Sequence, residues 1–262
     1  MKNIKIIVAT HKKYQMPEDD MYLPVHAGAE GKEDLSYQKD NEGENISSKN
    51  PYYSELTSIY WAWKNLNADY IGLVHYRRHF AENEKIPNNE QDRFKNILTY
   101  KKADKLLDEA DIILPTKRNY YIENIYNHYK KTMYIEPLDE TRKILTEKYP
   151  EYVKEFDKIY KKTSAHLFNM FIMKKDKLNE YLSWLFDILF ELEKRIDPKQ
   201  YSNFHARYLG RISEILLDVW IDTKGYKYKE VKFMDMQKVN WIKKGMAFLK
   251  AKFVGKKYER SF

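Results

Sequence analysis

The 262-residue chain has no cysteine, and only eight of its residues are glycine. Without cysteine there is no disulfide framework, no thiol nucleophile and no cysteine-ligated zinc, which suits a reducing cytoplasm. With so little glycine, neither the dinucleotide fingerprint GxGxxG nor the phosphate loop GxxxxGK[ST] occurs, so the usual nicotinamide and ATP sites are excluded. Long hydrophobic runs are missing as well. The opening MKNIKIIVATHKK holds about five consecutive apolar residues, where a membrane span needs about 20. The expectation is a cytoplasmic protein without a leader.

What the chain does have is tyrosine and positive charge. Its 23 tyrosines and 15% aromatic content suit half-buried, hydrogen-bonding walls of the kind that line sugar and nucleobase sites, or else an aromatic-rich core. The net charge is +8, and its distribution is uneven. From Lys238 to the end, seven lysines and one arginine face a single acid, Glu259, so the body is nearly neutral. Charge gathered in a tail, with no reading motif in the body, argues against nucleic acid as a partner.

Apolar spacing yields a mixed α/β reading. Lys5 to Ala9 is a buried first strand that ends at Thr10, His11 and Lys12, and residues 13–51 read as a long loop rich in proline and glycine. A helix follows over 52–66. The run YIGLV at 70–74 is a second strand that stops abruptly at the polar cluster His75, Tyr76, Arg77, Arg78, His79. Helices are expected over 101–110, 121–132, 138–149, 178–192 and 203–222, with strands at 112–114 and 167–173. Such alternation predicts a mainly parallel sheet flanked by helices, whose ligands sit beyond the carboxyl ends of the strands. Residues 1–235 then form one catalytic domain and 236–262 a basic tail.

Four groups of residues could carry chemistry. Arg77 and Arg78 can offer forked donors to a diphosphate, or they can be surface arginines between core aromatics, since adjacent strand residues point to opposite faces. Arg207, Arg211, Glu214 and Asp218 fall within about 60° of one another on a helical wheel. That makes either a solvated, salt-bridged face or a site in which Glu214 acts as a general base. Asn45, Tyr53, Glu55 and Trp61 either cap and pack the helix at 52–66 or form a sugar wall. His166 and Asn169 bracket the strand at 167–173 and are read as structural or sugar-binding. The histidines at 75 and 79 lack the helix and the glutamate of the zinc-protease motif.

Taken together, the strings ATHKKYQMP, NISSKNPYYSELTSIYWAWKN, DYIGLVHYRRHF, DEADIILPTKRNYYIENIYNHY, FNMFIM and RISEILLDVW resemble a bacterial family called domain of unknown function 4422, found in capsular and exopolysaccharide gene clusters. The tryptophan-rich ELTSIYWAWKN and the HYRRHF strings are the specific ones. The resemblance implies a glycosyltransferase of the A-type fold with a smaller acceptor half. It implies transfer of galactose or galactofuranose from a UDP-sugar donor to a lipid-linked saccharide. It also implies that Thr10, His11, Lys12 and His75 to Arg78 line the nucleotide site, and that Glu214 deprotonates the acceptor. A-type enzymes commonly bind Mn²⁺ or Mg²⁺ through an Asp-x-Asp motif. Here His75 to Arg78 stand in its place, which leaves Asp19 and Asp20 as the remaining metal candidates. The alternative is a non-catalytic binding or scaffold protein of the same pathway. Residues 239–254 mix Trp241, Ile242, Met246, Phe248, Leu249 and Phe253 with lysines. They read as an amphipathic helix on an anionic membrane surface, or as a solvated or packed tail.

Overall fold

The computed structural model describes residues 1–237; the basic tail lies outside them. In chain order the strands are β1 (Ile4–Thr10), β2 (Tyr22–His26), β3 (Gln38–Lys39), β4 (Tyr70–His75), β5 (Arg78–Phe80), β6 (Ile112–Pro115), β7 (Arg118–Asn119), β8 (Ser164–Ala165), β9 (Phe171–Lys174), β10 (Lys229–Val231) and β11 (Phe233–Asp235). The helices are α1 (Asn50–Tyr53), α2 (Leu56–Asn65), α3 (Glu90–Lys95), α4 (Tyr100–Leu106), α5 (Ile125–Thr132), α6 (Glu136–Lys148), α7 (Val153–Lys161), α8 (Lys175–Arg195) and α9 (Tyr208–Lys224). These residues divide into two compact units that interleave in sequence. The first comprises Met1–Thr116, Phe168–Ser183 and the stretch from Tyr226 onward, and the second Lys117–Leu167 and Trp184–Gly225.

The first unit is built on a nine-stranded sheet with the path β10-β6-β9-β4-β1-β2-β3, and β5 joins β4 to β11. The expected mixed α/β fold with a mainly parallel core is borne out. β1 pairs in parallel with β4 on one side and β2 on the other, while β9 runs antiparallel between β4 and β6. β1 and β4 are buried along almost their whole length, because a central strand covered on both faces needs apolar residues at every position rather than at alternate ones. α2 packs over both of them.

Two expectations need correction. Residues 13–51 are not one long loop, since β2 and β3 extend the sheet there. Pro24 hides β2 from a reading of pattern, because proline in a strand argues against a central position. The expected helix at 52–66 is broken at Ser54, whose φ of 53° lies in the left-handed region. The buried Asp40 carboxylate holds this segment together by accepting from the backbone N–H groups of Gly28 (2.7 Å) and Ala29 (3.0 Å) and from the hydroxyls of Ser47 and Thr57.

The second unit contains the short antiparallel pair β7–β8 and helices α5, α6, α7 and α9, with the carboxyl-terminal part of α8. α9 ends at Gly225 in the left-handed conformation that closes a helix without a steric penalty. Nearly every residue from Ile212 to Ile221 on α9 is buried, so the face carrying Asp218 is not the solvated one that its charges suggest.

Gly72 marks the tightest backbone approach in the sheet. A Cβ there would lie 2.8 Å from the Phe171 carbonyl oxygen and 3.0 Å from Ile172 Cγ1. Gly72→Ala therefore forces β4 and β9 apart, and chemical denaturation should show a loss of about 1–3 kcal/mol. Burial pushes the wholly buried His79 down from 6.5 to about 3. Between those values the unfolded chain binds a proton that the native chain refuses, so this contribution is complete above pH 6.5 and is lost as the pH falls toward 3. His79→Phe should make the fall of Tm through that acid window shallower.

Candidate active site

The parallel pairing of β1 with β4 sets Ala9 opposite His75, so both strands end at the same edge of the sheet. The backbone N–H of Tyr76 donates to the Ala9 carbonyl at 3.2 Å and ties the two exits together. β4 then reverses through the two residues Tyr76 and Arg77, and His75 pairs with Arg78 across the turn. That hairpin decides the fate of the two arginines. Arg77 sits exposed at its tip, while Arg78 is returned to the sheet beside β11.

Tyr76 is the centre of the site. It is buried, and His11 and Tyr14 meet its ring edge-on with centroids 5.3 Å and 5.2 Å away. Lys12 Nζ lies 5.4 Å and the Arg77 guanidinium 5.5 Å from the centre of the same ring. A ring face attracts cations, so the tyrosine draws two positive side chains to the same ring. Both are exposed, and no carboxylate among the described residues pairs with Arg77 or Lys12. Thr10 contributes by shaping the exit of β1: its hydroxyl donates to the Lys12 carbonyl at 2.6 Å and fixes the turn that presents His11 and Lys12.

Beside this pair lies Glu55. Its side chain is 14% exposed, Oε1 accepts from Asn169 Nδ2 at 2.8 Å, and Oε2 is 3.9 Å from His75 Nε2, beyond hydrogen-bonding reach. Burial, then Arg77 and Arg78, push His75 down to about 3, which leaves it neutral at pH 7. The ring keeps 23% exposure, so it faces the site without adding charge to it. Three left-handed residues build this corner: Ser54, which precedes Glu55, and the neighbours Phe168 and Asn169 with φ of 97° and 52°. Backbone strain of this kind persists only where the surroundings enforce it, and it gathers at functional sites. It also delays β9, which begins at Phe171 rather than at 167.

Several expected site residues have other tasks. Arg78 donates from Nε (3.0 Å) and from its terminal nitrogen (2.8 Å) to Asp235 Oδ1, and stacks 3.7 Å over the Phe168 ring. It braces β5 against β11 and is not presented as a diphosphate ligand. Asn45 spends its side chain within a turn, donating to the Gly43 carbonyl (2.8 Å) and accepting from the Ser47 N–H (3.1 Å). Tyr53 and Trp61 are buried core residues and form no exposed sugar wall.

His166, Arg211 and Glu214 belong to the second unit. There His166 is buried with its Nδ1 hydrogen-bonded to Asp218 Oδ1, and its backbone N–H donates to Asp218 Oδ2 at 3.0 Å. Burial alone would raise Asp218, but the bonds and charge from His166 outweigh it and hold the carboxyl below its ordinary range. This pair anchors α9 to the segment after β8, so His166 is a structural residue and not a sugar ligand. Arg211 lies 5.8 Å from the Phe204 ring, and Glu214 is half-buried one turn further along α9.

The metal candidates do not fit. Asp19 accepts from the backbone N–H groups of Met21 (3.1 Å) and Tyr100 (2.7 Å), one on each oxygen, and Asp20 is exposed. Among the described residues no group of three His, Asp or Glu side chains is arranged to hold a metal ion. A hollow of about 430 Å³ lined by Lys2, Asn67, Tyr70 and Lys174 lies at the opposite, amino-terminal end of β4, away from the strand exits where such sheets bind ligands. Pattern reading passed over Tyr14, although it stands in the same string as His11 and Lys12. Burial and its hydrogen bond to Glu90 raise Tyr14 to about 12.

Residues 5–225 match the family model described as Domain of unknown function (DUF4422). The chain belongs to the DUF4422 family. Its fold is also that of part of a solved structure, the WbbM bifunctional glycosyltransferase in its apo form, with 30% sequence identity and a TM-score of 0.82 over 90% of this chain. The match spans 46% of WbbM, so this DUF4422 chain corresponds to less than half of that protein. No curated protein matches it. Among the described residues no helix is long and apolar enough to cross a membrane.

The unequal placement of the two arginines can be measured. Arg77→Ala should leave stability within about 0.5 kcal/mol of the parent, as for a surface change. Arg78→Ala removes charged hydrogen bonds and should cost about 1.5–3 kcal/mol in the same denaturation experiment.

Proposed function

We propose that this DUF4422 chain is a glycosyltransferase that takes a sugar from a nucleoside-diphosphate sugar, and that Lys12 and Arg77 bind the diphosphate at the exits of β1 and β4. The observation that carries this reading is the convergence of those two cations on the Tyr76 ring at the carboxyl edge of parallel strands. In the reaction, an acceptor hydroxyl oxygen bonds to the anomeric carbon, the bond from that carbon to the diphosphate oxygen breaks, and the nucleoside diphosphate leaves with both bonding electrons. Positive groups fixed at the departing oxygens stabilise that charge as it develops. An arginine adds forked hydrogen bonds, and the lysine adds a compact charge.

Glu55, held by Asn169, offers a carboxylate to the hydroxyls of the donor sugar. Glu214 in the second unit is the proposed base that takes the acceptor's proton. The donor is UDP-galactose or UDP-galactofuranose, and the acceptor is a lipid-linked saccharide of capsular or exopolysaccharide synthesis. Working from the cytoplasm, the basic stretch 239–254 would dock the enzyme on an anionic membrane face, where such an acceptor lies.

Calorimetric titration with UDP and UDP-galactose, with Mn²⁺ and after EDTA, tests the reading. Binding should survive EDTA, and Arg77→Ala should weaken it about tenfold or more, as loss of a charged hydrogen bond of about 1.5–3 kcal/mol requires. Binding only in the presence of Mn²⁺ would overturn the role of the two cations. No binding under any condition would favour a non-catalytic pathway protein. Glu214→Gln should keep the affinity for UDP and lose transfer of labelled sugar to a membrane lipid extract.

A further inference from the structure

The second unit contains a concentration of aromatic and charged groups that the donor site does not use. Tyr120, which follows β7, stacks on His128 of α5 with ring centroids 3.8 Å apart and planes inclined by 20°. The Arg118 guanidinium lies 5.1 Å from the Tyr120 ring. His128 is locked in place because its Nδ1 is 3.1 Å from Glu123 Oε1, and Glu123, nearly buried, is also held by Lys131. Burial pushes His128 down to about 4 despite Glu123, so at neutral pH the ring is uncharged and presents an apolar face.

Next along α5, the Tyr129 side chain is 94% covered, with an exposure of 6%, yet its hydroxyl has no hydrogen-bond partner among the described residues. Arg211, Tyr201 and Glu214 all act electrostatically on that phenol. A buried hydroxyl left unpaired costs about 1–3 kcal/mol, a cost that a ligand hydroxyl or anionic oxygen would remove. The same region also shows apolar surface to solvent. Among the described residues, apart from Met1, the large hydrophobic side chains that stand exposed are Tyr121 at 82%, Ile122 at 65% and Tyr134 at 42%. Tyr121 is held outward by design of the loop, with φ of 57° and its N–H bonded to Asn119 Oδ1 at 2.7 Å.

Aromatic faces pack against the C–H faces of sugars, and Arg118 and Arg211 outnumber the carboxylate of Glu214, which gives the group a positive balance. We propose that the second unit carries a binding site for a sugar bearing an anionic group. Arg118 and Arg211 take the anion, the Tyr120–His128 stack packs the ring, and the Tyr129 hydroxyl and Glu214 bond its hydroxyls. The proposal deepens the transferase reading by naming the acceptor class, a phosphorylated or acidic sugar, and it rests on that reading for the word acceptor. The binding claim itself stands without it.

The test uses the full chain and calorimetric titration with galactose 1-phosphate, glucuronic acid, methyl β-galactopyranoside and inorganic phosphate. At least one of the two anionic sugars should bind measurably, and the neutral glycoside and phosphate at least tenfold more weakly. Preference for galactose 1-phosphate identifies a glycosyl phosphate as the source of the anion, and preference for glucuronic acid identifies a uronate; either supports the site. Arg118→Ala should weaken that binding at least tenfold. Tyr129→Phe should also weaken it while leaving Tm equal or higher, since it deletes an unpaired buried hydroxyl. Arg77→Ala should leave it unchanged. Loss of binding in Arg77→Ala with Arg118→Ala unaffected would put the ligand in the donor site and overturn the proposal. So would equal affinity for phosphate alone, or no binding by either acidic sugar. Because Arg77→Ala reports on UDP and Arg118→Ala on the sugar, failure of the donor reading and failure of this one give different patterns.

Discussion

The register between β1 and β4 is the constraint on which the rest of the site depends. Setting Ala9 opposite His75 brings two strand exits to one edge, and the bond from the Tyr76 N–H to the Ala9 carbonyl fixes their separation. A slip of one residue would turn each side chain to the other face of the sheet. Both strands are buried on both faces, so close packing rather than alternation holds the register, and Gly72 lets the β9 backbone approach more closely than any side chain would allow. Core packing thus determines where Lys12 and Arg77 stand, although neither is part of the core.

Around that edge the charges are deliberately unequal. Tyr76 gathers cations on its ring, His75 stays neutral under burial and the neighbouring arginines, and Glu55 is held by Asn169 at a strained corner. The result is a positive edge beside one oriented carboxylate, which suits a sugar attached to a diphosphate. The second unit repeats the principle with different parts. There a buried Glu123 locks His128 under Tyr120, and Arg118, Arg211 and Glu214 all act electrostatically on that tyrosine.

Much of this was legible in the sequence where burial leaves a simple trace. The apolar runs of β1 and β4 read as central strands because both faces are covered, and the abrupt polarity at His75 marked the end of β4. What was not legible depended on partners distant in sequence. Asp218 looked like part of a solvated face because its spacing matches Arg211 and Glu214; only the buried His166, 52 residues away, reveals why a carboxylate can sit in that core. Arg77 and Arg78 looked alike until the hairpin sent one to solvent and the other to Asp235, 157 residues on. The break at Ser54 left no mark in helical periodicity, because it depends on a backbone conformation that serine adopts only when held. Family resemblance named the strings that converge, HYRRHF, SELTSIYW and FNMFIM, but not which side chain in each faces the site.

Amide hydrogen exchange of the full chain with and without UDP tests the central claim most directly. If Lys12 and Arg77 hold the diphosphate at the β1 and β4 exits, UDP slows exchange in the segments 10–14 and 75–78 while the amino-terminal ends of the same strands stay unchanged. Protection confined to the second unit, or to the hollow at the start of β4, would contradict it.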